Sequence, residues 1–545
     1  DGATVTAAVT TGEPGDPAVL SGWFDYGSAM YQRDRFEQGT MQSIEIQMAK
    51  NEIEGFQYLL TSDKDVDGLR CDVTPLGDGQ GHTLSGTVNV AWYEWINLSD
   101  GRHDVFVWQP VAMLPMDDEY QGGSFDVAGG TCRTLYVGYK TDADTVPGTY
   151  TGKLTVSKNG TELLSGDVSV RVRDVYYDEK TECMTMMGLG YDKEDTNPMV
   201  PAGPDSAPAL GSQQASGRFL NANLLLEYTD FLLENRCCPT WLPFENELLT
   251  DRTEELKAFM NNPRMTGTYI SARLHGDAEE NAAFLAEEYK VAVENGWTDR
   301  IYFGIVDEPT SEAHMQYMIA KSALVNESFP TTRFMDAFGI DIPSEGKNIV
   351  ERMAEYSTTF CINTIAFEGA FKDSMMKLKT ERGDTLFWYV CGGQASGYTN
   401  ILPCTPGTDK RILFWQQYQQ DIDGFLYWRV SFWNMCYDIW ADDYMETDFP
   451  FPKSSGTPTG DGVLLYWHPI TQKPVTTIGF EAVRDGIEDF QLLRMAERRL
   501  GREEVLKYVE KITTGVTEFV QYKDGSTALL NEVKNQIFDL LENAA

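Results

Sequence analysis

A length of 545 residues, with 42% hydrophobic and 12% aromatic content, predicts two to four folded domains and excludes a mostly disordered chain. The formal net charge is −39. This charge argues against a nucleic-acid-binding protein or one that binds anionic membranes, because phosphates are repelled everywhere outside a local basic patch. Neutral ligands fit this composition better.

The cysteines and histidines predict neither a disulfide framework nor a metal site. The nine cysteines are scattered, and the adjacent pair Cys237 and Cys238 lacks the spacing of metal ligands or redox pairs. None of the five histidines belongs to an H-x-x-x-H motif, so we expect no zinc and no cofactor. No stretch is long and apolar enough to predict a membrane span. The chain begins at Asp1 rather than Met, which is typical of an exported bacterial protein without its leader, and we therefore expect it to be secreted or at the cell surface.

Residues 1–177 are predicted to form a β-sandwich domain. Short alternating runs are separated by Gly, Asp and Asn turns throughout this part, which is the pattern of an all-β domain. The clearest unit is a hairpin of 150–156 and 161–172, in which Asn159-Gly160 provides the turn.

Residues 178–545 are predicted to form a (β/α)8 barrel of the TIM type, with a strand and helix extension over about 455–545. The rhythm changes here to strand, helix, strand, which indicates a parallel sheet. Amphipathic helices are predicted over 279–295 and 312–327. The candidate strands are 183–188, 238–243, 267–274, 300–307, 332–337, 359–366, 385–391 and 424–430. An open doubly wound sheet is the alternative, but no Gly-rich phosphate loop follows any of the strands.

The fourth candidate strand, 300–307, ends on two adjacent carboxylates. Asp307 and Glu308 precede Pro309, which lacks the donor that a strand needs, so the pair is predicted at the mouth of the barrel. An Asp-Glu dipeptide alone more often marks a solvated turn or a helix N-terminus. In a barrel enzyme, however, catalytic groups lie at the carboxyl ends of the strands, and two acids there can perform acid/base chemistry.

The other strand ends are also polar and aromatic. Each of these residues alone is more often structural than functional, and only their convergence at one rim favours a site. They are Tyr191, Trp241, His275, Asp336, Glu368, Tyr389 and Trp428. The C-terminal helices carry mixed charges, which we interpret as solvated faces.

Several motifs together resemble glycoside hydrolase family 123, the β-N-acetylgalactosaminidases and barrel proteins built like them. The motifs are Asp307-Glu308-Pro309, 388–391 (WYVC), 424–428 (GFLYW) with Phe432-Trp433, Gly460-Asp461-Gly462, 480–490 (FEAVRDGIEDF) and 51–57 (NEIEGFQ). The run 480–490 is the most specific of them, and the resemblance covers nearly the whole chain. Arg429 and Trp467-His468-Pro469 depart from the family pattern.

The resemblance implies a retaining, substrate-assisted hydrolysis of terminal β-linked N-acetylgalactosamine, through an oxazolinium intermediate. Glu308 would be the general acid/base, and Asp307 would orient the acetamido N–H and stabilise the charged intermediate. Neighbouring acids on a strand point to opposite faces and cannot straddle a glycosidic bond, which fits a mechanism that uses the sugar's own acetamido oxygen.

The remaining substrate-binding residues are inferred from residue type and place. Tyr389 would hydrogen-bond the acetamido oxygen, and Trp388, Trp428 or Trp433 would wall its methyl group. Tyr427, His275, Asp336 and Trp241 complete the predicted substrate-binding set.

Three alternatives stay open. One is a conventional two-carboxylate glycosidase with Glu368 or Asp336 as the partner of Glu308. Another is a non-catalytic glycan-binding surface protein, and the third is a metal hydrolase, for which the sequence offers no ligand cluster. The expected partner is a glycan or glycoconjugate rather than nucleic acid, and the sequence leaves the oligomeric state open.

Overall fold

The computed structural model of the protein describes residues 5–9, 16–98, 106–189, 222–240, 253–270, 278–330, 333–392, 397–432, 440, 460–522 and 525–543.

The N-terminal part of the chain is built of strands. They are β1 (Val5–Val9), β2 (Ala18–Tyr26), β3 (Ser43–Lys50), β4 (Ile53–Ser62), β5 (Val66–Val73), β6 (Leu76–Gly77), β7 (Thr83–Leu84), β8 (Gly86–Asn97), β9 (Phe106–Pro115), β10 (Phe125–Val127), β11 (Cys132–Lys140), β12 (Gly148–Lys158) and β13 (Thr161–Tyr176). One sheet has the order β1-β2-β4-β11-β8-β9, and the other has β10-β5-β12-β13-β3 with β6 and β7 at its side. The two sheets share one hydrophobic core, to which Phe56 and Leu135 contribute from the first and Ile46 and Val170 from the second.

The hairpin predicted at Asn159-Gly160 is confirmed. Strands β12 and β13 pair antiparallel up to Lys158 and Thr161. Asn159 has φ 52° and Gly160 has φ 78°, so both turn residues adopt the left-handed conformation that a two-residue hairpin turn of this twist requires.

After β13 the chain alternates between strands and helices. The elements are β14 (Met184–Met187), α1 (Ala222–Glu234), α2 (Thr253–Met260), β15 (Thr268–Ile270), α3 (Ala278–Asn295), β16 (Ile301–Phe303), α4 (Glu312–Ser328), β17 (Arg333–Phe334), β18 (Ala337–Phe338), α5 (Ile349–Met353), β19 (Thr359–Asn363), α6 (Gly369–Arg382), β20 (Thr385–Tyr389), α7 (Gly407–Gln419) and β21 (Gly424–Tyr427). Helices α3 and α4 match the predicted helices closely. Helix α4 begins after Ser311, whose side chain accepts a hydrogen bond from the N–H of His314 and so caps the helix.

The strands of this part form two parallel sheets. The order of the first is β14-β21-β20-β19-β18, and that of the second is β15-β16-β17. A parallel bridge also joins Met187, at the end of β14, to Pro239, in the region of the second predicted strand. Side chains of both sheets pack into one cluster, in which the rings of Tyr302 and Phe387 lie 5.9 Å apart.

The C-terminal part is a short hairpin followed by helices: β22 (Tyr466–Trp467), β23 (Pro474–Val475), α8 (Ile478–Leu500), α9 (Arg502–Val509) and α10 (Ser526–Asn543). This order matches the sequence interpretation. The interpretation of the helix charges as solvated is wrong for α8, however, because its charged side chains between 481 and 489 are buried.

These charges belong to a buried ionic network that joins the N-terminal sheet to the C-terminal helices. Its members are Glu52, Glu54, Arg236, Arg411, Glu481, Arg484, Asp485, Glu488, Asp489 and Lys534. Lys534 Nζ of α10 lies 2.5 Å from carboxylate oxygens of both Glu52 and Glu54. Arg411 of α7 lies 3.0 Å from Glu54 and 2.6 Å from Asp489.

The buried ionic network holds more carboxyl groups than cations. Burial is the first cause that raises the pKa of Glu52 to about 8, whereas Arg411 and Lys534 hold the pKa of Glu54 down at about 2. Burial also raises the pKa of Asp485. Protons on the carboxyl groups with raised pKa values relieve the excess of negative charge, since unpaired charge is expensive in the interior.

None of the helices in the described ranges is long and apolar enough to cross a membrane.

Candidate active site

The acidic pair lies in a loop that follows β16, and the strand is shorter than predicted. The prediction carried it to residue 307, but it ends at Phe303. The reason lies in Asp336, because its Oδ1 accepts hydrogen bonds from the N–H groups of Ile305 at 2.6 Å and Val306 at 2.9 Å. Those donors are therefore turned to a carboxylate instead of a neighbouring strand.

Glu308 is held by its side chain and has an unusual backbone conformation. Its φ is 44°, in the left-handed region that costs a residue other than glycine about 1–3 kcal/mol and that concentrates at functional sites. The hydroxyl of Tyr389, the last residue of β20, donates a hydrogen bond to Glu308 Oε1. Burial and the Glu308 carboxylate raise the pKa of Tyr389, so the tyrosine keeps its proton and remains a donor.

Gly339 leaves the space in which this contact forms. A Cβ atom at position 339 would lie 3.3 Å from the Tyr389 hydroxyl oxygen and 3.6 Å from Glu308 Oε1. A side chain extending further from that position would compete with the Tyr389–Glu308 hydrogen bond for the same volume.

Asp307 is exposed next to Glu308. Desolvation by the surrounding protein, followed by the charge of Glu308, raises the pKa of Asp307. Both carboxyl groups are exposed, but Glu308 is bound to a tyrosine and Asp307 has a raised pKa, so the two can take separate acid/base and charge-stabilising roles.

Asp461 connects three segments next to β20 and β21. It is 3% exposed, and its Oδ1 accepts hydrogen bonds from Tyr427 Oη at 2.9 Å and Trp428 Nε1 at 3.1 Å. Its Oδ2 accepts from the N–H of Gly392 at 2.8 Å. Asp461 was not among the predicted site residues, although the motif Gly460-Asp461-Gly462 was the signal that could have found it.

Tyr427 and Trp428 both donate a hydrogen bond to Asp461, but they differ in how much surface they offer to a ligand. Tyr427 is fully buried and also accepts a hydrogen bond from the N–H of Gly462 at 2.7 Å, so its hydroxyl serves the loop. Trp428 is half-buried and packs on Phe432 with ring centroids 4.7 Å apart. Of these two residues, Trp428 is the one with surface left for a ligand.

Trp388 lies away from this group. It is fully buried, its indole donates to Gln417 Oε1 at 3.2 Å, and its ring packs edge-on against Phe367. Its neighbour Tyr389 points to the opposite face of β20, as alternation along a strand requires. We therefore leave Trp388 out of the proposed site.

The other predicted residues divide between exposed, buried and undescribed positions. Glu368 is exposed at the N-terminus of α6, and Asp336 is buried beneath the acidic pair. The predictions for Tyr191, Trp241, His275 and Trp433 fall outside the described residues. Across the part of the chain that the structure describes, no group of three or more His, Cys, Asp or Glu side chains is arranged to hold a metal ion.

Two motifs of the resemblance belong to the buried ionic network rather than to the acidic pair. They are 51–57, which contributes Glu52 and Glu54, and 480–490, which contributes Glu481, Arg484, Asp485, Glu488 and Asp489. These two motifs are therefore connected with the way the N-terminal sheet and helix α8 are joined, and not with the chemistry of the acidic pair.

No curated protein matches the sequence. A family 123 glycoside hydrolase from Clostridium perfringens matches the structure with a TM-score of 0.65 at 11% identity, over 96% of this chain and 98% of the other. A family 39 glycoside hydrolase from Bacteroides cellulosilyticus reaches a TM-score of only 0.31 at 10% identity, over 77% of this chain and 80% of the other, and we draw nothing from it.

The family model described as "Glycoside hydrolase 123, catalytic domain" matches residues 257–496. This range contains Asp307, Glu308, Asp336, Tyr389 and Asp461. The resemblance to glycoside hydrolase family 123 is thereby confirmed, and residues 257–496 are the part of the chain that is similar to the catalytic domain of that family.

Proposed function

We propose that the protein is a retaining glycoside hydrolase that removes terminal β-linked N-acetylgalactosamine from glycans by substrate-assisted catalysis. The observation that carries the proposal is the acidic pair itself, in which both residues are exposed and Glu308 is bound by Tyr389. The family 123 relative from Clostridium perfringens is described as hydrolysing glycolipid glycans, which supports a glycoconjugate as substrate.

The proposed architecture is an N-terminal β-sandwich over residues 1–177 and a (β/α)8 barrel in 178–545. The shared cluster of Tyr302, Phe387 and their neighbours supports a single barrel interior, because it contains side chains from both parallel sheets. The bridge between Met187 and Pro239 supports a further strand next to β14. In such a barrel the loop after β16 is at the carboxyl end of a strand, where barrel enzymes perform their chemistry.

In the proposed reaction, Glu308 first protonates the leaving glycosidic oxygen. The acetamido oxygen of the sugar attacks the anomeric carbon, and the carbon–oxygen bond to the leaving group breaks. Asp307 accepts a hydrogen bond from the acetamido N–H and stabilises the positive charge of the oxazolinium ring. Glu308 then removes a proton from the water that opens the ring, which restores both the enzyme and the configuration at the anomeric carbon.

The hydrogen bond from Tyr389 gives Glu308 a fixed direction in this scheme. A general acid must lie within hydrogen-bonding reach of the oxygen that it protonates. Because one carboxylate oxygen is occupied by the tyrosine, the other is the one that would face the substrate. Asp336, the alternative partner carboxylate, binds backbone N–H groups with Oδ1 and is 3% exposed, which argues against a two-carboxylate mechanism that uses it.

The test is a comparison of aryl β-glycosides with and without the 2-acetamido group. We expect faster hydrolysis of the aryl N-acetyl-β-galactosaminide than of the aryl β-galactoside, because only the former carries the internal nucleophile. A preference for the sugar without the acetamido group contradicts the proposal.

The variant Glu308→Gln tests the role of the acid. It should lose more kcat/KM on glycosides with poor leaving groups than on activated aryl glycosides, which need less protonation. Glu368→Gln is the matched control and should retain activity on both. Equal losses of Glu308→Gln on both substrate types would remove Glu308 from the acid role, and an inactive Glu368→Gln would favour the two-carboxylate alternative.

A further inference from the structure

The loop that carries the acidic pair leaves the sheet immediately after Phe303. The carbonyl of Phe303 still accepts a hydrogen bond from the N–H of Met335 at 2.8 Å. Beyond Gly304, the N–H groups of Ile305 and Val306 both donate to Asp336 Oδ1. Ile305 and Val306 directly precede the acidic pair. Asp336 Oδ1 therefore determines the direction in which the backbone reaches Asp307 and Glu308.

The position of Asp336 makes it a rigid support. It lies between β17 and β18, in the segment that pairs with both parallel sheets, and it is 3% exposed. A buried side chain fixed between two strands has little freedom to follow a moving loop. The loop must instead conform to the carboxylate.

The loop contains a conformation that needs such support. Glu308 has φ 44°, and a backbone in that region persists where its surroundings hold it. The side chain of Glu308 is held by Tyr389, while the backbone two and three residues earlier is held by Asp336. Tyr389 lies on β20 and Asp336 lies between β17 and β18, so two separate parts of the fold hold the 305–308 segment.

We propose that Asp336 is a positioning residue, which acts as a backbone acceptor that sets the 305–308 turn so that Glu308 and Asp307 are presented to the substrate. The proposal rests on the proposed function of the acidic pair. It gives Asp336 no part in bond making, in contrast to the two-carboxylate alternative.

The surroundings of Asp336 indicate that its charge is not what the site requires. Its Oδ2 is buried and has no hydrogen-bond partner among the described residues. Burial, with a smaller contribution from the charge of Asp307, raises the pKa of Asp336 to about 7 despite the two N–H donors. The buried thiol of Cys361 also lies near Asp307 and Asp336. An acceptor oxygen without a charge should therefore be sufficient.

The experiment compares Asp336→Asn with Asp336→Ala in the full chain. The amide oxygen of Asn can accept the same two hydrogen bonds, whereas Ala can accept none. We expect Asp336→Asn to keep kcat within about threefold of the wild type. Asp336→Ala should lower kcat by about a hundredfold, the scale of a misplaced catalytic group, with KM nearly unchanged.

Circular dichroism and a melting curve establish that each variant is folded at the assay temperature. A role in stability alone would lower the melting temperature without lowering kcat of the folded enzyme, and that result overturns the proposal. An Asn variant as inactive as the Ala variant also overturns it, because the carboxylate would then take part in the chemistry. If Asp336→Ala does not fold, Asp336→Ser replaces it, since its hydroxyl is too short to reach both donors and the same loss of kcat is expected.

The variants are measured on whichever aryl glycoside the wild type hydrolyses best. The ratio of variant to wild-type kcat therefore tests the positioning role, while the preference among the glycosides tests the proposed function. A failure of one does not imply a failure of the other.

Discussion

The hydrogen bond between Tyr389 and Glu308 offers a direct measure of how much orientation contributes to the reaction. Tyr389→Phe removes the hydroxyl and leaves the ring, which is 4% exposed and packs in the cluster shared by both parallel sheets. The fold should survive, because the ring provides the packing. The carboxylate of Glu308 then loses the partner that holds it.

The expected loss follows from the chemistry of this contact. A hydrogen bond to a charged group contributes about 1.5–3 kcal/mol. About 1.4 kcal/mol corresponds to a tenfold change in rate, so kcat/KM should fall by roughly ten- to 150-fold. The loss should be concentrated in kcat, since in the proposed reaction Glu308 acts on the bond that breaks rather than on the remainder of the sugar.

The assay is the initial rate of aryl N-acetyl-β-galactosaminide hydrolysis, and Tyr302→Phe is the matched control. Tyr302 is a buried tyrosine of the same cluster, and its ring packs against Phe387 instead of bonding the acidic pair. The control should retain nearly full activity. A Tyr389→Phe variant within twofold of the wild type, or a control that loses as much, refutes the orienting role of the tyrosine.

Three further results are expected. Asp307→Asn should leave the fold intact, lower turnover by more than about a hundredfold and weaken inhibition by a thiazoline mimic of the intermediate. A variant that keeps its turnover and its thiazoline inhibition shows that Asp307 does not orient the acetamido group. Lys534→Met should lower the free energy of unfolding, measured in urea titrations, by about 3–5 kcal/mol, because it leaves carboxylates of the buried ionic network unpaired. Adding Glu52→Gln should restore part of this free energy, and no recovery in the double variant would contradict the pairing of Lys534 with Glu52. The pKa of Asp336 is raised from 3.8 to about 7, so the folded state binds a proton that the unfolded state releases, and this contribution to stability is complete below pH 4 and lost as the pH rises through 7. Asp336→Asn should therefore flatten the decline of the unfolding free energy between pH 4 and pH 8, and an unchanged slope would disprove the assignment.

The parts of the fold that local patterns encode were predictable from the sequence. The turn at Asn159-Gly160 and helices α3 and α4 depend on residues close together in the chain, and the structure confirms them. The end of β16 was not predictable. Its backbone donors are taken by Asp336, about thirty residues later, and no local pattern in 300–307 reveals that competition.

The charges of α8 were misread for the same reason. Charged side chains at helical spacing are usually solvated, but the partners of Asp489 here are Arg411 of α7 and Lys534 of α10, and Glu488 pairs with Arg236. The candidate site shows the same division. Asp307, Glu308 and Tyr389 were predicted from strand ends, and the structure brings Tyr389 into contact with Glu308, whereas the place of Asp461 depends on contacts with Gly392 and Tyr427 across the fold.

The buried ionic network has a consequence for the order in which the chain acquires its structure during synthesis. Glu52 and Glu54 leave the ribosome long before the cations that neutralise them, since Lys534 follows Glu52 by 482 residues and Arg411 follows Glu54 by 357. N-terminal domains usually fold first as they emerge. In this chain Glu52 and Glu54 have no cations to pair with at that stage, so their carboxylates must stay in water until α7 and α10 arrive. A fragment that ends after β13 would carry the same exposed acids permanently. The hydrophobic core between the two N-terminal sheets is built from residues of 18–172 alone, so the part that waits for the C-terminal helices is the surface around Glu52 and Glu54.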